Sequence, residues 1–300
     1  MISLDQKDLK ILRLLLNDGR LSYEKIAKNV DLTPITVKNR ITQLIHDEII
    51  TDFKILVNPK ILNYSVCYSL AYLKGDPNKH ALIEQLGDNK NIMGGHVNLG
   101  NYLSIIHTFK NHSDLLNNIQ FIRLFEEIER LDDFILLFPE MNFQNVNISK
   151  NDWLIINALK NNCRKSDVEV AEELNITAKT VKHRLKYLKN NGIIIFMVNL
   201  DTSSGNLLTY NPIIKFKSIT SKDLIIINKI VNDPFYIWRI TNEEAMIYSI
   251  YIKQLRDLEE QILKIKQMEN VIEIINLVPT KMYFFKSWID DLIEDKAQID

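Results

Sequence analysis

Cys67 and Cys163 are the only thiols in these 300 residues. Two thiols do not make a disulfide framework, and their spacing fits no metal-ligand pattern. No metal is therefore expected, and a reduced, intracellular setting is. Long apolar runs are also missing. The stretch "GIIIFMV" from Gly192 falls far short of the roughly 20 residues that a membrane span needs. The opening "MISLDQKDLKILRLLL" carries acids early and lacks the basic-then-apolar order of a signal peptide. The expectation is a cytoplasmic protein with no membrane partner. Glycine is scarce, with 8 residues, and none builds a phosphate-binding loop, so no cofactor is expected. Neither sign of charge dominates: the formal net charge of −1 argues against a uniformly basic nucleic-acid binder.

What the chain does contain is a repeat. "TPITVKNRITQLIHDEII" begins at Thr33 and "TAKTVKHRLKYLKNNGII" at Thr177, an offset of 144 residues. The same offset pairs Asp8 with Asp152, Ala27 with Ala171, Val37 with Val181, Arg40 with Arg184 and Leu44 with Leu188, with no gap from about residue 5 to 56. That period is too long for a solenoid unit and reads as a duplicated pair of domains. Apolar content of 46% and charged content of 25% are those of an ordinary globular protein.

Each copy follows one plan. Leu9, Leu12 and Leu16 recur at helical spacing, and Gly19 sits where a glycine ends a helix. Ser22 suits the N-cap of a short second helix. Thr33 caps a third, with Pro34 at its first position, where a missing N–H costs nothing. Ser166 and Glu169 have capping-box spacing in the second copy. "IITDFKILVNP" and "IIIFMVNL" follow as β-branched stretches. Three helices and a strand pair predict a winged helix-turn-helix at 1–58 and again at 148–200. Behind each lies a β-α-β-β-α-β succession, at 59–147 and 201–300, the latter ending in a short acidic helix. This is the ferredoxin-like split unit. In the first copy it has a turn at Gly100–Asn101 and a second helix capped near Ser113 or Asp114. The predicted class is α+β, with two winged helix-turn-helix domains alternating with two ferredoxin-like βαββαβ domains.

On a helical wheel, Val37, Ile41 and Leu44 share one face of the third helix, as do Val181, Leu185 and Leu188. Opposite or flanking lie Ile35, Thr36, Lys38, Asn39, Arg40 and Gln43. On the second copy's third helix the outward and flanking residues include Lys179, Thr180, Lys182, His183, Arg184 and Lys186. A helix with an apolar back and a polar, cationic front suits the major groove of double-stranded DNA. Asn and Gln pair with adenine, Arg with guanine, and Ile or Thr with the thymine methyl, while flanking cations hold phosphates. Charge is distributed accordingly. Basic and acidic residues number 9 and 8 over 1–58, 7 and 10 over 59–147, 9 and 5 over 148–200, and 12 and 15 over 201–300. The cationic excess lies on the helix-turn-helix segments, greatest in the second.

With "LTPITVKNRITQLIHDEII" and "LGNYLSII", this order of domains resembles the Lrp/AsnC (feast/famine) family of transcription regulators, here as two units fused end to end. The resemblance implies C-terminal domains that pair through their sheets, a small effector such as an amino acid, and further homo-oligomeric assembly. The family's turn glycine is matched by Gly100, so His96, Asn98, Gly100 and Asn101 are the expected effector loop. The second copy reads "RITNEEAMIY" and has no glycine there. Fusion implies a pseudo-dimer reading a non-palindromic site. A relative of the family, siroheme decarboxylase, uses the same paired domains as an enzyme. Its chemistry needs His and Arg converging on substrate carboxylates, for which His96, His107, Arg123 and Arg239 are the candidates here. No dense arginine cluster accompanies them, and the expected function is regulation rather than catalysis.

Overall fold

The computed structural model describes residues 4–137, 146–201, 208–231, 236–240, 244–252 and 255–298, with the side chains of 236–240, 255 and 257 left aside. The first half runs α1 (Gln6–Asn17), α2 (Tyr23–Val30), α3 (Pro34–His46), β1 (Ile50–Val57), β2 (Ser65–Leu73), α4 (Lys79–Leu86), β3 (Ile92–Asn98), β4 (Tyr102–Phe109), α5 (His112–Arg123) and β5 (Ile128–Leu137). The second runs α6 (Lys150–Leu159), α7 (Asp167–Leu174), α8 (Ala178–Asn190), β6 (Ile194–Leu200), β7 (Thr209–Tyr210), β8 (Ile213–Phe216), α9 (Ser221–Val231), β9 (Tyr236–Ile240), β10 (Ala245–Tyr251), α10 (Leu255–Lys266) and β11 (Val271–Ile275). It closes with β12 (Pro279–Phe284) and α11 (Trp288–Lys296).

These elements gather into two compact units, each built from both copies: Met1–Asn63 with Glu140–Asn206 and Trp288–Asp300, and Tyr64–Pro139 with Leu207–Ser287. The four successive segments read from sequence are therefore not four separate bodies. The terminal helix α11 belongs with the helix-turn-helix unit, where Glu294 meets Lys160 of α6 at 2.6 Å.

The expected caps form. Ser22, Thr33 and Ser166 accept from backbone amides three residues on, and Pro34 opens α3. Among the described residues no strand pair forms within either helix-turn-helix copy. β1 instead pairs antiparallel with β6, Phe53 opposite Val198 and Lys54 opposite Met197. Since 53 and 197 are counterparts in the repeat, as are 54 and 198, the ribbon is centred on the internal axis relating the two heads. The cause is local. After β1, Asn58 caps a 3-10 turn at Pro59–Leu62 instead of reversing the chain. A lone strand must then find its backbone partners elsewhere. Gly19 also serves a different purpose from the one expected. Helix α1 ends at an extended Asp18, and a Cβ on Gly19 would lie 2.7 Å from the Met197 carbonyl oxygen. The glycine admits the close approach of β6.

In the other unit the copies repeat one strand order, β5-β2-β4-β3 and β11-β8-β10-β9. The end of β5 pairs with β9, and β12 pairs with β3. Thus the tail of each copy adds to the other's edge, and β12 is a strand that sequence reading did not supply. One core lies between sheet and helices, around Ile83, Leu86, Ile105 and Ile122. Another joins Tyr68, Leu70 and Phe134 of the first copy to Ile213, Ile247 and Leu277 of the second. Helix α5 is capped by Asn111, earlier than Ser113 or Asp114.

Candidate nucleic-acid interface

Helices α3 and α8 bury Val37, Ile41, Leu44 and Val181, Leu185, Leu188 respectively, which turns the opposite faces outward. Ile35 is 74% exposed. Lys38, Asn39 and Gln43 are exposed beside it, as are Lys179, Lys182, His183 and Lys186 on α8. Gln43 Nε2 donates to Asp47 Oδ1 at 2.8 Å. Thr36 and Thr180 sit at the helix starts, their hydroxyls 2.8 Å from those of Thr33 and Thr177.

Arg40 and Arg184, expected to contact DNA from the flanks of these helices, are partly buried and held by acids at the first helix of each head. Arg184 grips the fully buried Asp152 with two bonds of 2.6 Å, from Nε to Oδ1 and from Nη2 to Oδ2. Asp152 also closes the capping box of α6 with Ser149. Burial by itself would raise the Asp152 carboxyl. The Arg184 guanidinium and Ser149 outweigh it and hold the group below the usual carboxylate range. Arg40 makes the corresponding contacts at the head of α1, 2.8 Å to Asp5 and 2.7 Å to Asp8. In both copies the shared arginine ties the recognition helix to the first helix's N-terminus. The signal was legible: an acid lies 32 residues before the arginine in each copy, Asp8 and Asp152.

The expected effector loop divides in two. Gly100, at φ +72°, and Asn101 are exposed. Lys79 Nζ holds the loop by donating to the carbonyls of Asn98 and Gly100, both at 2.7 Å. His96 and Asn98 lie inward. Asn98 Nδ2 donates to Ser104 Oγ at 3.0 Å, and Tyr68 donates to the same oxygen at 2.5 Å. His96 Nδ1 and Asn98 Oδ1 are buried and bonded to no protein group. Burial pushes the His96 imidazole down to about 4, which keeps it neutral.

Cys67, His107 and Asp133 converge from β2, β4 and β5 with donor atoms within 4.8 Å of one another. Three strands far apart in sequence bring them together, and no spacing rule finds that. Asn118 Nδ2 donates to the Thr108 carbonyl at 2.8 Å while its Oδ1 accepts from Asn91 at 3.0 Å, which fixes the amide's orientation. That Nδ2 lies 3.2 Å from His107 Nδ1, so Nδ1 accepts and the ring proton sits on Nε2. It points at Ser69 Oγ, 2.9 Å away, and Ser69 donates in turn to Asp133. The tautomer leaves no lone pair at Nε2 for a metal. Burial pushes the Cys67 thiol up to about 12 and His107 down to about 4, and raises Asp133. The cluster is a hydrogen-bonded relay beneath α5.

The profile of the AsnC-type helix-turn-helix domain matches residues 4–45, and a winged helix-turn-helix DNA-binding profile matches 148–195. The regulatory protein AsnC of Haemophilus influenzae is 30% identical over 137 residues, which cover 44% of this chain and 91% of that protein. The chain belongs to the Lrp/AsnC family. Another relative, the HTH-type transcriptional regulator Ptr1 of Methanocaldococcus jannaschii, is 40% identical over 72 residues, 24% of this chain and 49% of that one. Over its whole length this Lrp/AsnC protein shares the fold of the siroheme decarboxylase NirDL. The TM-score is 0.59 at 10% identity, covering 97% of this chain and 98% of that one. The histidines suggested for such chemistry do not meet. His96 stands opposite Ser104 in register, and His107 lies an odd number of residues further along β4, on the other face of the sheet. Arg123 is exposed, and the side chain of Arg239 lies outside the described residues.

Proposed function

We propose that this chain is a sequence-specific DNA-binding transcription regulator of the Lrp/AsnC type in which one polypeptide supplies both reading heads. One observation carries the reading. The two recognition helices present unequal outward faces, and among the described residues Lys38, Lys179, Lys182 and Lys186 are exposed and in no ion pair. Such cations meet phosphates, and each phosphate so neutralised steepens the salt dependence of binding. Ile35, Asn39 and Gln43 face where base edges would lie on one half-site, and Lys179, His183 and Lys186 on the other. Regulators named among the relatives support the same function. A small polar effector at His96 and Asn98 is part of this reading, supported by the two buried atoms that no protein group satisfies. Oligomerisation beyond the single chain belongs to it as well.

A second reading draws on the whole-chain fold likeness to siroheme decarboxylase, of which another solved structure holds an iron-uroporphyrin III analogue. One experiment weighs both. The purified chain is titrated into labelled genomic fragments at low and moderate salt, and separately mixed with siroheme while the visible spectrum is followed. Binding that weakens steeply with salt and a silent spectrum are expected. A spectral change without DNA binding reverses the assignment.

A further inference from the structure

Arg20 and Arg164 are counterparts in the repeat, in "NDGRLS" and "NNCRKS", and the contacts they make are reciprocal. Arg20 Nη1 donates to the carbonyls of Cys163 and Lys165. Arg164 Nη1 donates to those of Gly19 and Leu21, at 2.7 and 3.3 Å. The acceptors are themselves counterparts at the 144-residue offset. Each guanidinium therefore reaches across the internal axis and holds the turn between first and second helices of the opposite head. Backbone bonds run alongside, from Gly19 N–H to the Phe196 carbonyl at 2.8 Å and from Cys163 N–H to that of Phe53 at 2.9 Å. Beyond the carbonyls the two arms differ. Arg20 forks to Asp167 at 2.7 Å, and Lys189 meets Asp18 at 2.5 Å. Among the described residues Arg164 has no such acid, and it lies over the rings of Tyr23 and Phe53, at 4.8 and 5.2 Å.

The carbonyl, carboxylate and ring contacts of both arginines run from one head to the other, so they chiefly join the heads. The β1–β6 ribbon alone is a weak joint, since two-stranded ribbons twist readily and are marginal by themselves. We propose that Arg20 and Arg164 are positioning residues that fix the two recognition helices at one separation and phase, so that the chain accepts DNA at only one spacing between unequal half-sites. The spacing claim rests on the DNA-binding reading above. Its sensitivity comes from the duplex: one inserted base pair shifts a half-site by about 3.4 Å and turns it by about a tenth of a turn.

Two readouts separate this inference from that reading. In the first, Asn39→Cys and His183→Cys carry spin labels; Cys67 and Cys163 are fully buried and take none. The label-to-label distance distribution should be narrow with both arginines present and broad in Arg20→Met/Arg164→Met. Should the double variant fail to fold, Arg164→Met replaces it, because that arm breaks no ion pair. In the second, unlabelled proteins bind a selected site with one or two base pairs inserted between its halves. The unsubstituted chain should lose on the order of tenfold per inserted pair, and the variant less than about twofold. A narrow distribution in the variant overturns the clamp. A broad one with undiminished spacing discrimination overturns its role in specificity. If the unsubstituted chain binds no DNA, the functional reading and the spacing claim fall together, while the label distances still decide whether the arginines hold the heads.

Discussion

Helices α3 and α8 share what they turn inward and differ in most of what they turn outward. Thr33 and Thr177 cap, Val37 and Val181 pack, and Arg40 and Arg184 clasp the first helix. Outside, Ile35 answers to Lys179, Asn39 to His183 and Gln43 to Tyr187, while Thr36 and Lys38 recur as Thr180 and Lys182. Within one chain, likeness between the copies thus marks what folding requires, and difference marks what the surface is free to vary. A basic residue on a recognition helix invites assignment to DNA, yet the arginine present in both copies performs an internal task.

The comparison is sharpest at those arginines. Arg184→Met should strand the buried Asp152 carboxylate and destabilise the protein by about 3 kcal/mol. Arg40→Met acts on partners that are half-exposed or less and should cost about 1 kcal/mol; denaturant titration of both variants gives the ratio. The Arg184 effect should fade as pH falls below about 4. Asp152 has its pKa lowered from 3.8 in the folded state, so its contribution is present above the unfolded value and lost on protonation.

His107 provides the next largest effect. Its folded pKa of about 4 lies below the ordinary 6.5. Between those values the unfolded chain binds the proton first, so stability should fall on acidification through that window, by up to about 3 kcal/mol. His107→Gln should remove that part of the slope in unfolding curves taken from pH 7 to 4.

Smaller effects concern DNA. Changing Lys179, Lys182 and Lys186 to alanine should weaken binding roughly tenfold or more at moderate salt. The slope of log affinity against log salt should shrink by about one for each phosphate left without its lysine. Lys38→Ala should reduce it by no more than about one. Ile35→Ala should leave the slope alone and relax preference at a single thymine by about 1 kcal/mol, read from competition among base-substituted sites.

Much of the fold was legible because local rules sufficed. Caps at Ser22, Thr33 and Ser166 and the buried triads Val37–Ile41–Leu44 and Val181–Leu185–Leu188 follow from side-chain chemistry and helical period. So does the strand order implied by two βαββαβ runs. What escaped depends on contacts across the repeat. The ribbon of β1 with β6 and the edge strand β12 are settled by partners in the other copy, which periodicity does not register. The same holds for the candidate site. The exposed face of each recognition helix was readable from its wheel. His96 and Asn98 were placed on a loop, whereas both lie on β3, His96 half-buried and Asn98 buried.

The central claim is that two unequal helices of one chain read one DNA site. Selection of binding sequences from a random duplex pool, using the purified chain, tests it most directly. The account predicts enrichment of a non-palindromic site with two dissimilar halves in fixed register, of which Lys179→Ala changes one half and Asn39→Ala the other. A clean palindrome, or a pool that enriches nothing, contradicts it.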